Sequence, residues 1–196
     1  MTCRGLLAII GRGVVLRGAL AALGAASCSG PPDAPRFLFK NPPPYGGGDA
    51  GTAGALFRPV SDALELHCST LDCHGAPARN LRLFGAAGVR LDPRGLVGKS
   101  LTTDKEYEAN YESIIAIQPE VLNTIVAQRG VRPERWLVIT KGRGTEHHKG
   151  EVRMIAGDDT DRCVTSWLTG TLDTKACENA ASVSPPMGVG FNAVPP

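Results

Sequence analysis

The segment Cys68-Ser-Thr-Leu-Asp-Cys73-His74-Gly75 places two thiols and an imidazole within one short stretch of backbone. Two cysteines this close together reach the edge of one porphyrin and attach it through thioethers, and a histidine directly after them serves as an axial ligand. The common spacing for such attachment is C-x-x-C-H, whereas four residues separate these cysteines. The segment therefore predicts a covalent haem c held by Cys68 and Cys73, with His74 as its proximal ligand.

Two other uses of the same side chains are open. In an oxidising compartment, Cys68 and Cys73 form a local disulfide that closes a small loop beneath His74. The third use is a zinc site in which both thiols act together with His74 and His148, although free thiolates survive poorly outside the cytoplasm.

The N-terminal region indicates export. Residues 1–27 contain three arginines, no acidic residue and an apolar run of small residues from Gly18 to Ser27, which is typical of a secretory signal peptide. The run ends in Leu23-Gly-Ala-Ala-Ser27-Cys28, which resembles the lipobox of bacterial lipoproteins, with Ala25 where leucine is more usual. The resemblance implies that Cys28 carries lipid and anchors the chain in the cell envelope, at the outer membrane or facing the periplasm.

The charge of the chain argues against a nucleic-acid partner. The whole sequence has a formal net charge of +2, and removal of the three arginines of residues 1–27 brings it to −1. The remaining lysines and arginines are interleaved with acids, so the basic surface that binds nucleic acid is missing. We expect the partners to be redox proteins or other envelope proteins, and the membrane through the lipid anchor.

Composition divides the mature chain into three parts. From Ser29 to Gly54, 12 of 26 residues are proline or glycine, which predicts a tether over residues 28–55. The stretch 180–196 is again rich in proline, glycine and serine, which predicts a flexible tail. One domain therefore remains, over residues 56–179.

Cysteine counting suggests one structural disulfide. The domain contains four cysteines, which allow three pairings. If Cys68 and Cys73 hold haem, Cys163 and Cys177 are left to form a disulfide between the last predicted helix and the segment after it.

Apolar periodicity predicts a mainly α domain with long irregular loops. Capping signals and apolar stripes indicate four helices, and residues 80–100 are expected to form short strands or loop. The expected helices run from Pro59 into Cys68, from the capping box at Thr103 through Ile115, from Pro119 towards Gly130, and from Asp158 to Thr169.

Several short motifs come in an order that resembles certain secreted bacterial c-type cytochrome domains. The order covers most of residues 57–170, and the chain departs from the family in its four-residue cysteine gap and in lacking a Met-Pro in the distal loop. The motifs are His74-Gly75, Leu81-Arg-Leu, Pro133-Glu134-Arg-Trp-Leu137-Val-Ile, the loop from Lys141 to Gly150, and Trp167-Leu168-Thr-Gly170.

The resemblance implies a small cytochrome c-like helical domain that relays single electrons through one haem. It also implies a distal iron ligand in the glycine-rich loop, for which His148 is the first candidate and Met154 the second. The choice matters because Met/His ligation raises the reduction potential. His67, next to Cys68, is expected to be a bystander.

No enzyme chemistry is independently indicated. Ser166 lies on a predicted helix without a Gly-x-Ser-x-Gly elbow, and the loop after Gly142 lacks the third glycine of a dinucleotide site. The competing interpretation is a haem-free, disulfide-stapled surface lipoprotein that acts as an interaction module.

Overall fold

The computed structural model describes residues 42–46 and 54–182. The predicted signal peptide, the lipidation site Cys28, most of the tether and the tail beyond Ser182 lie outside the described residues. Within the described ranges the chain is mainly helical, as predicted, and none of its helices is long and apolar enough to cross a membrane. The elements are α1 (Arg58–Cys68), α2 (Asp104–Ile115), α3 (Pro119–Ala127), a 3-10 turn (Pro133–Arg135), α4 (Leu137–Gly142), α5 (Asp159–Leu168) and α6 (Thr174–Ser182).

Local signals fix the beginnings of the predicted helices. Pro59 lies in the first turn of α1, where its missing N–H costs nothing, and the helix ends at Cys68. Thr103 and Glu106 form a complete capping box at the start of α2, as the sequence predicts. Asp158 caps α5 through its side chain, which accepts the backbone N–H of Asp161.

The helices α5 and α6 form a covalently joined pair. Cys163 on α5 and Cys177 on α6 form a disulfide, which confirms the predicted pairing. The segment after α5 is itself the helix α6, which the sequence analysis does not predict, and it runs to Ser182, three residues into the expected tail. The helix forms because Ala176, Cys177 and Ala180 give it one buried face against α1 and α5.

The core lies where α1 packs against α2, α5 and α6. Phe57, just before α1, is fully buried, and its ring centroid lies 5.2 Å from that of Trp167 on α5. Trp136 is also fully buried, and its indole N–H donates to the carbonyl of Ile117 at 2.7 Å. Aromatic residues make up 5% of the chain, and these three are among its largest fully buried side chains.

Residues 42–46, within the predicted tether, lie against this core. The hydroxyl of Tyr111 donates to the carbonyl of Pro43 at 2.7 Å, and the indole N–H of Trp167 donates to that of Pro44 at 2.8 Å. The ring of Tyr45 lies 4.9 Å from that of Tyr111. The domain therefore includes a short N-terminal strap that periodicity alone does not assign to it.

Residues 80–100 form an irregular loop, the second of the two predicted possibilities. The described residues there contain only an isolated bridge between Phe84 and Val89. The loop is held instead by the buried guanidinium of Arg90, which donates to both carboxylate oxygens of Glu106 at 2.8 Å. Against the opposing effect of burial, hydrogen bonds from Arg90, Thr103 and the backbone of Leu91 lower the pKa of Glu106 to about 2.

Candidate functional site

The cysteine turn, which we define as residues 68–74, closes on itself through backbone hydrogen bonds. Cys68 is the last residue of α1, and its carbonyl accepts the N–H of His74 at 3.0 Å. The carbonyl of Thr70 accepts the N–H of Cys73 at 2.8 Å. The hydroxyl of Ser69 donates to the last turn of the helix, at the carbonyl of Glu65. Helix α1 therefore positions Cys68, and the turn positions His74.

Gly75 allows the chain to leave the cysteine turn in close contact with other backbone segments. A Cβ atom at Gly75 would collide with the carbonyl of Ser69 and would lie 2.8 Å from the Cα of Gly88. The carbonyl of Gly75 accepts the N–H of Val89 at 3.1 Å, and that of His74 accepts the N–H of Leu83 at 2.9 Å. The glycine after the histidine is thus required by backbone packing.

A cavity of about 410 Å³ opens beside the cysteine turn. Its size lies within the range of about 300–1,000 Å³ that is common for ligand and cofactor sites. The cavity is lined by three predicted haem-binding residues, Cys68, His74 and His148. Met154, the alternative distal ligand, also lines it. Apolar walls come from α1, the loop before Phe84, the segment after α2 and helix α4, namely Leu64, Ala78, Leu81, Leu83, Ile117, Leu137 and Val138.

The imidazoles of His74 and His148 meet across this cavity. Their ring centroids are 5.9 Å apart and their planes differ by 16°. Two imidazole nitrogens that bind one metal from opposite sides at about 2 Å each place the ring centroids about 6 Å apart. The separation is close to that value, and together with the small angle between the planes it also lies within the range of about 4.5–7 Å of an offset-stacked ring pair.

Backbone carbonyls occupy the Nδ1 side of both rings. Nδ1 of His74 lies 2.9 Å from the carbonyl oxygen of Leu81, and Nδ1 of His148 lies 3.4 Å from that of Glu151. A neutral imidazole with its proton on Nδ1 keeps a lone pair on Nε2, which is the arrangement that metal-binding histidines use. Burial lowers the pKa of His74, and so favours the neutral ring at neutral pH.

The distal loop, which we define as residues 142–154, returns to the point where it starts. The carbonyl of Gly142 accepts the N–H groups of both Arg153 and Met154. The Met154 side chain, 1% exposed, packs where a Cβ atom at Gly142 would lie 2.6 Å from its Cε. A Cβ atom at Gly150 would lie 2.7 Å from Cε1 of His148. Both candidate distal ligands are therefore fixed by close contact with a glycine.

The structure does not bring every candidate residue to the cavity. Cys73 lies on the turn but outside the cavity lining, and both Cys68 and Cys73 are free thiols. Burial raises the pKa of the Cys68 thiol to about 12, so it is protonated at neutral pH. His147 is exposed to solvent, and His67 bonds elsewhere, with Nε2 lying 3.0 Å from the carbonyl oxygen of Ala180.

Three cationic side chains line the cavity, and no described aspartate or glutamate does. They are Arg79, Lys141 and Arg153. Neither Lys141 nor Arg153 is predicted from the sequence to be a site residue, although Lys141 shares one face of α4 with the wall residue Leu137, four residues earlier. Recognition of α4 as a helix would have predicted that Lys141 lies beside Leu137. Arg153 reaches the cavity only through the path of its loop, which the sequence does not show.

The cavity lining can be matched to the chemical features of a haem. Among the described residues, no three His, Cys, Asp or Glu side chains form a group that could hold a metal ion. An apolar cavity lined by two imidazoles, one thiol and three cationic side chains suits an apolar macrocycle that carries two carboxylates.

Comparison with known proteins gives no relative. No family model matches the chain, and no curated protein or solved structure is significantly similar to it.

Proposed function

We propose that this chain is an exported, lipid-anchored c-type cytochrome-like protein that binds one covalent haem and transfers electrons. The observation that carries the proposal is the pair His74 and His148, which face each other across an apolar cavity that Cys68 also lines. A bound haem supplies a one-electron redox centre, for which the protein provides attachment, axial ligands and low polarity.

Each residue of the site has a distinct role in this proposal. Cys68 would attach the porphyrin from the end of α1, and His74 would bind the iron through Nε2, with the carbonyl of Leu81 accepting the proton on its Nδ1. His148 would be the second ligand of the iron, from the distal loop. Met154 is the nearby alternative and otherwise forms part of the apolar wall that excludes water.

The proposed role of Cys73 in haem attachment is less direct than that of Cys68. Each thioether forms when an S–H adds across a porphyrin vinyl group, so no atom leaves and the protein gains the full mass of haem. Because Cys73 lies outside the cavity lining, a second thioether requires its side chain to turn inward.

The cell-envelope location is part of the proposal and rests on the sequence alone. The residues that support it, the signal peptide and the lipidation site Cys28, lie outside the described residues.

The first test is a pyridine haemochrome spectrum together with intact mass, on protein from a host that carries cytochrome c maturation machinery. We expect a haem adduct that is lost in Cys68→Ala and either lost or shifted to a single-thioether spectrum in Cys73→Ala. His147→Ala is the control and should keep the full adduct.

A haem-free chain whose mass is lower by two hydrogens for each cysteine pair would contradict the proposal. That mass would mean that Cys68 and Cys73 are oxidised to a disulfide, and it would favour the haem-free lipoprotein instead.

A further inference from the structure

Residues 91–101, which we call the leucine loop, form a closed loop at the surface just before α2. The buried guanidinium of Arg90 holds the end of the loop, because it donates to the carbonyls of Ser100 and Leu101 at 2.9 Å and to the Ser100 hydroxyl at 2.8 Å. The same guanidinium is fixed on the carboxylate of Glu106 in α2. The two ends of the loop therefore meet at Arg90, as they do in compact surface loops that frequently carry a function.

Hydrogen bonds within the leucine loop give it one defined path. The N–H of Gly95 donates to the carbonyl of Asp92 at 2.8 Å, and the N–H of Gly98 donates to the carbonyl of Ala86 at 2.7 Å. A Cβ atom at Gly95 would lie 2.9 Å from the Cβ of Arg90, so the loop packs closely on the stem of that side chain. The positions of the side chains on the loop are therefore set before any partner binds.

The leucine loop leaves four large aliphatic side chains open to solvent. Leu101 is 87% exposed, Leu96 is 65% exposed, and Val97 and Leu91 are 43% and 42% exposed. Four of the eight large hydrophobic side chains that are exposed in the described residues lie in these eleven positions. Single exposed aliphatic side chains are common, but a group of them in one loop marks a contact with a membrane or another protein.

The charged side chains of the leucine loop add up to one positive charge. Its one acid, Asp92, pairs with Arg94 at 2.8 Å, which leaves the charge of the exposed Lys99. The mature chain as a whole has a net charge of −1. The loop therefore differs in sign from the rest of the chain.

The adjoining start of α2 is close to neutral. Asp104 pairs there with Arg58 at 2.9 Å, and the exposed Lys105 and Glu108 follow within one turn with opposite charges. No excess of acid next to the loop therefore repels an anionic surface.

The strap keeps the domain close to the membrane that the proposed lipid anchor implies. Because the strap is docked on the core, only 13 residues separate Pro42 from Cys28. They can span no more than about 50 Å even when fully extended. Tyr111, whose hydroxyl bonds the strap, lies on α2 only about 10 Å of helix from Asp104, where the helix begins just after the leucine loop. One helix thus connects the attachment of the tether with the loop.

We propose that the leucine loop lies in the surface of the membrane to which the chain is anchored. The inference rests on the proposed function for the lipid at Cys28 but not for haem, since none of the residues that line the cavity belongs to the loop. Leu96, Val97 and Leu101 enter the boundary between headgroups and acyl chains, and Lys99 meets anionic headgroups. The purely aliphatic composition favours lipid over a protein partner, because protein interfaces are enriched in aromatic side chains. This second contact fixes which face of the domain the membrane covers.

The first experiment separates the loop from the anchor. The mature chain with Cys28→Ser, which carries no lipid, is mixed with vesicles of phosphatidylethanolamine and phosphatidylglycerol, and the bound fraction is measured by sedimentation. We expect Leu96→Ser/Leu101→Ser to lower the partition coefficient about tenfold, because two apolar side chains no longer enter the bilayer. The matched control Val131→Ser/Ile155→Ser, which changes two exposed aliphatic residues elsewhere, should leave the coefficient unchanged.

The salt dependence of the same measurement tests the role of Lys99. We expect Lys99→Gln to lower the partition coefficient about two- to fivefold at low ionic strength and to have little effect at high ionic strength, where salt screens the headgroup charge. The effect of Leu96→Ser/Leu101→Ser should persist at both ionic strengths, because apolar contacts are not screened.

The second experiment uses the lipid-anchored mature protein in nanodiscs of the same lipids. A phospholipid with a nitroxide near its headgroup is added, and the broadening of backbone amide signals is recorded along the chain. We expect the amides of residues 94–101 to be broadened at least about twofold more than those of α3 and α4, because the loop lies in the headgroup region.

The outcomes separate this inference from the proposed function. Equal partition of the two double variants, or strongest broadening outside the leucine loop, would overturn the membrane contact alone. Sedimentation velocity of the unlipidated chain tests a second copy as the occupant: a dimer that Leu96→Ser/Leu101→Ser abolishes would also overturn it. A chain that acquires no haem or no lipid at Cys28 would defeat the proposed function, whereas a tenfold loss of vesicle binding in the unlipidated double variant would still support the loop.

Discussion

His148 is the residue on which the nature of the site depends most. It is half-buried on the cavity wall, whereas its neighbour His147 is exposed, so the two histidines form a matched pair of adjacent positions. A distal imidazole and a distal thioether give haem iron different reduction potentials.

In the haem-loaded protein, we expect His148→Ala to raise the reduction potential, on the order of 100 mV, because Met154 becomes the remaining distal donor. His147→Ala should leave the potential unchanged. Spectroelectrochemical titration of both variants measures the effect. Equal potentials for the two variants would show that His148 does not bind the iron.

Glu65 is a buried carboxyl in a polar network beneath the turn. Oε1 accepts from the hydroxyl of Ser61 and the amide of Asn110, and Oε2 accepts from the hydroxyl of Thr102. Burial raises the pKa of Glu65 from 4.5 to about 7, more than these hydrogen bonds lower it. The folded chain therefore holds an extra proton between these pH values.

The stability that protonation of Glu65 contributes is fully present below its unfolded pKa of 4.5 and is lost as the pH rises through 7. We expect wild type to lose about 3 kcal/mol relative to Glu65→Gln over that window, because glutamine cannot ionise. Urea unfolding at several pH values measures this difference. Glu120→Gln, at an exposed position of α3, is the control and should show a constant difference from wild type. A constant difference for Glu65→Gln as well would refute the shift.

At the scale of elements, helix α1 positions the site, and α5 and α6 stabilise α1 by packing against it. Helix α1 ends at Cys68 and packs on both α5 and α6, which the disulfide joins. The imidazole of His67, next to Cys68, adds a polar link by bonding the carbonyl of Ala180 and the hydroxyl of Thr160. Weakening the packing of α5 and α6 should therefore destabilise the cysteine turn at the end of α1.

We expect Cys163→Ser/Cys177→Ser to lower the free energy of unfolding by about 3 kcal/mol, the usual effect of opening a loop of about 15 residues. Chemical denaturation of the double variant measures it. Dithiothreitol should weaken wild type by a similar amount and leave the variant unchanged. An equally stable double variant would mean that packing of α5 on α6 suffices without the bond.

At the scale of the whole molecule, the strap of residues 42–46 completes the core. It satisfies the buried Tyr111 hydroxyl and the Trp167 indole and adds the ring of Tyr45 to the aromatic cluster. Leaving buried polar groups without partners costs about 1–3 kcal/mol each. The strap therefore belongs to the folding unit even though its composition is that of a linker.

A chain that begins at residue 54 should be less stable than one that begins at residue 41, by about 2–5 kcal/mol from the two lost hydrogen bonds and the lost ring contacts. Thermal and urea unfolding of the two chains measures the difference. Equal stability of the two chains would show that the strap is dispensable.

The sequence by itself determined the helices whose ends carry local signals. These signals are the capping box at Thr103, the proline at the start of α1 and the acidic start of α5. Each acts within one turn of helix, so it can be recognised in the sequence without the rest of the fold. The two cysteines and the histidine of the cysteine turn can be recognised for the same reason, because they lie in one continuous segment. Helix α6 was missed because its buried face consists of small residues whose apolar character only their packing reveals.

Only the tertiary structure decided which candidate side chains meet. It places His148 opposite His74 and leaves His147 in solvent, and it brings Cys68 to the cavity but not Cys73. Adjacent residues of one type have the same local signal, and the path of a loop against distant helices determines which of them faces inward. The apolar walls and the cations of the cavity come from separate segments for the same reason, because burial depends on contacts between residues far apart in the chain.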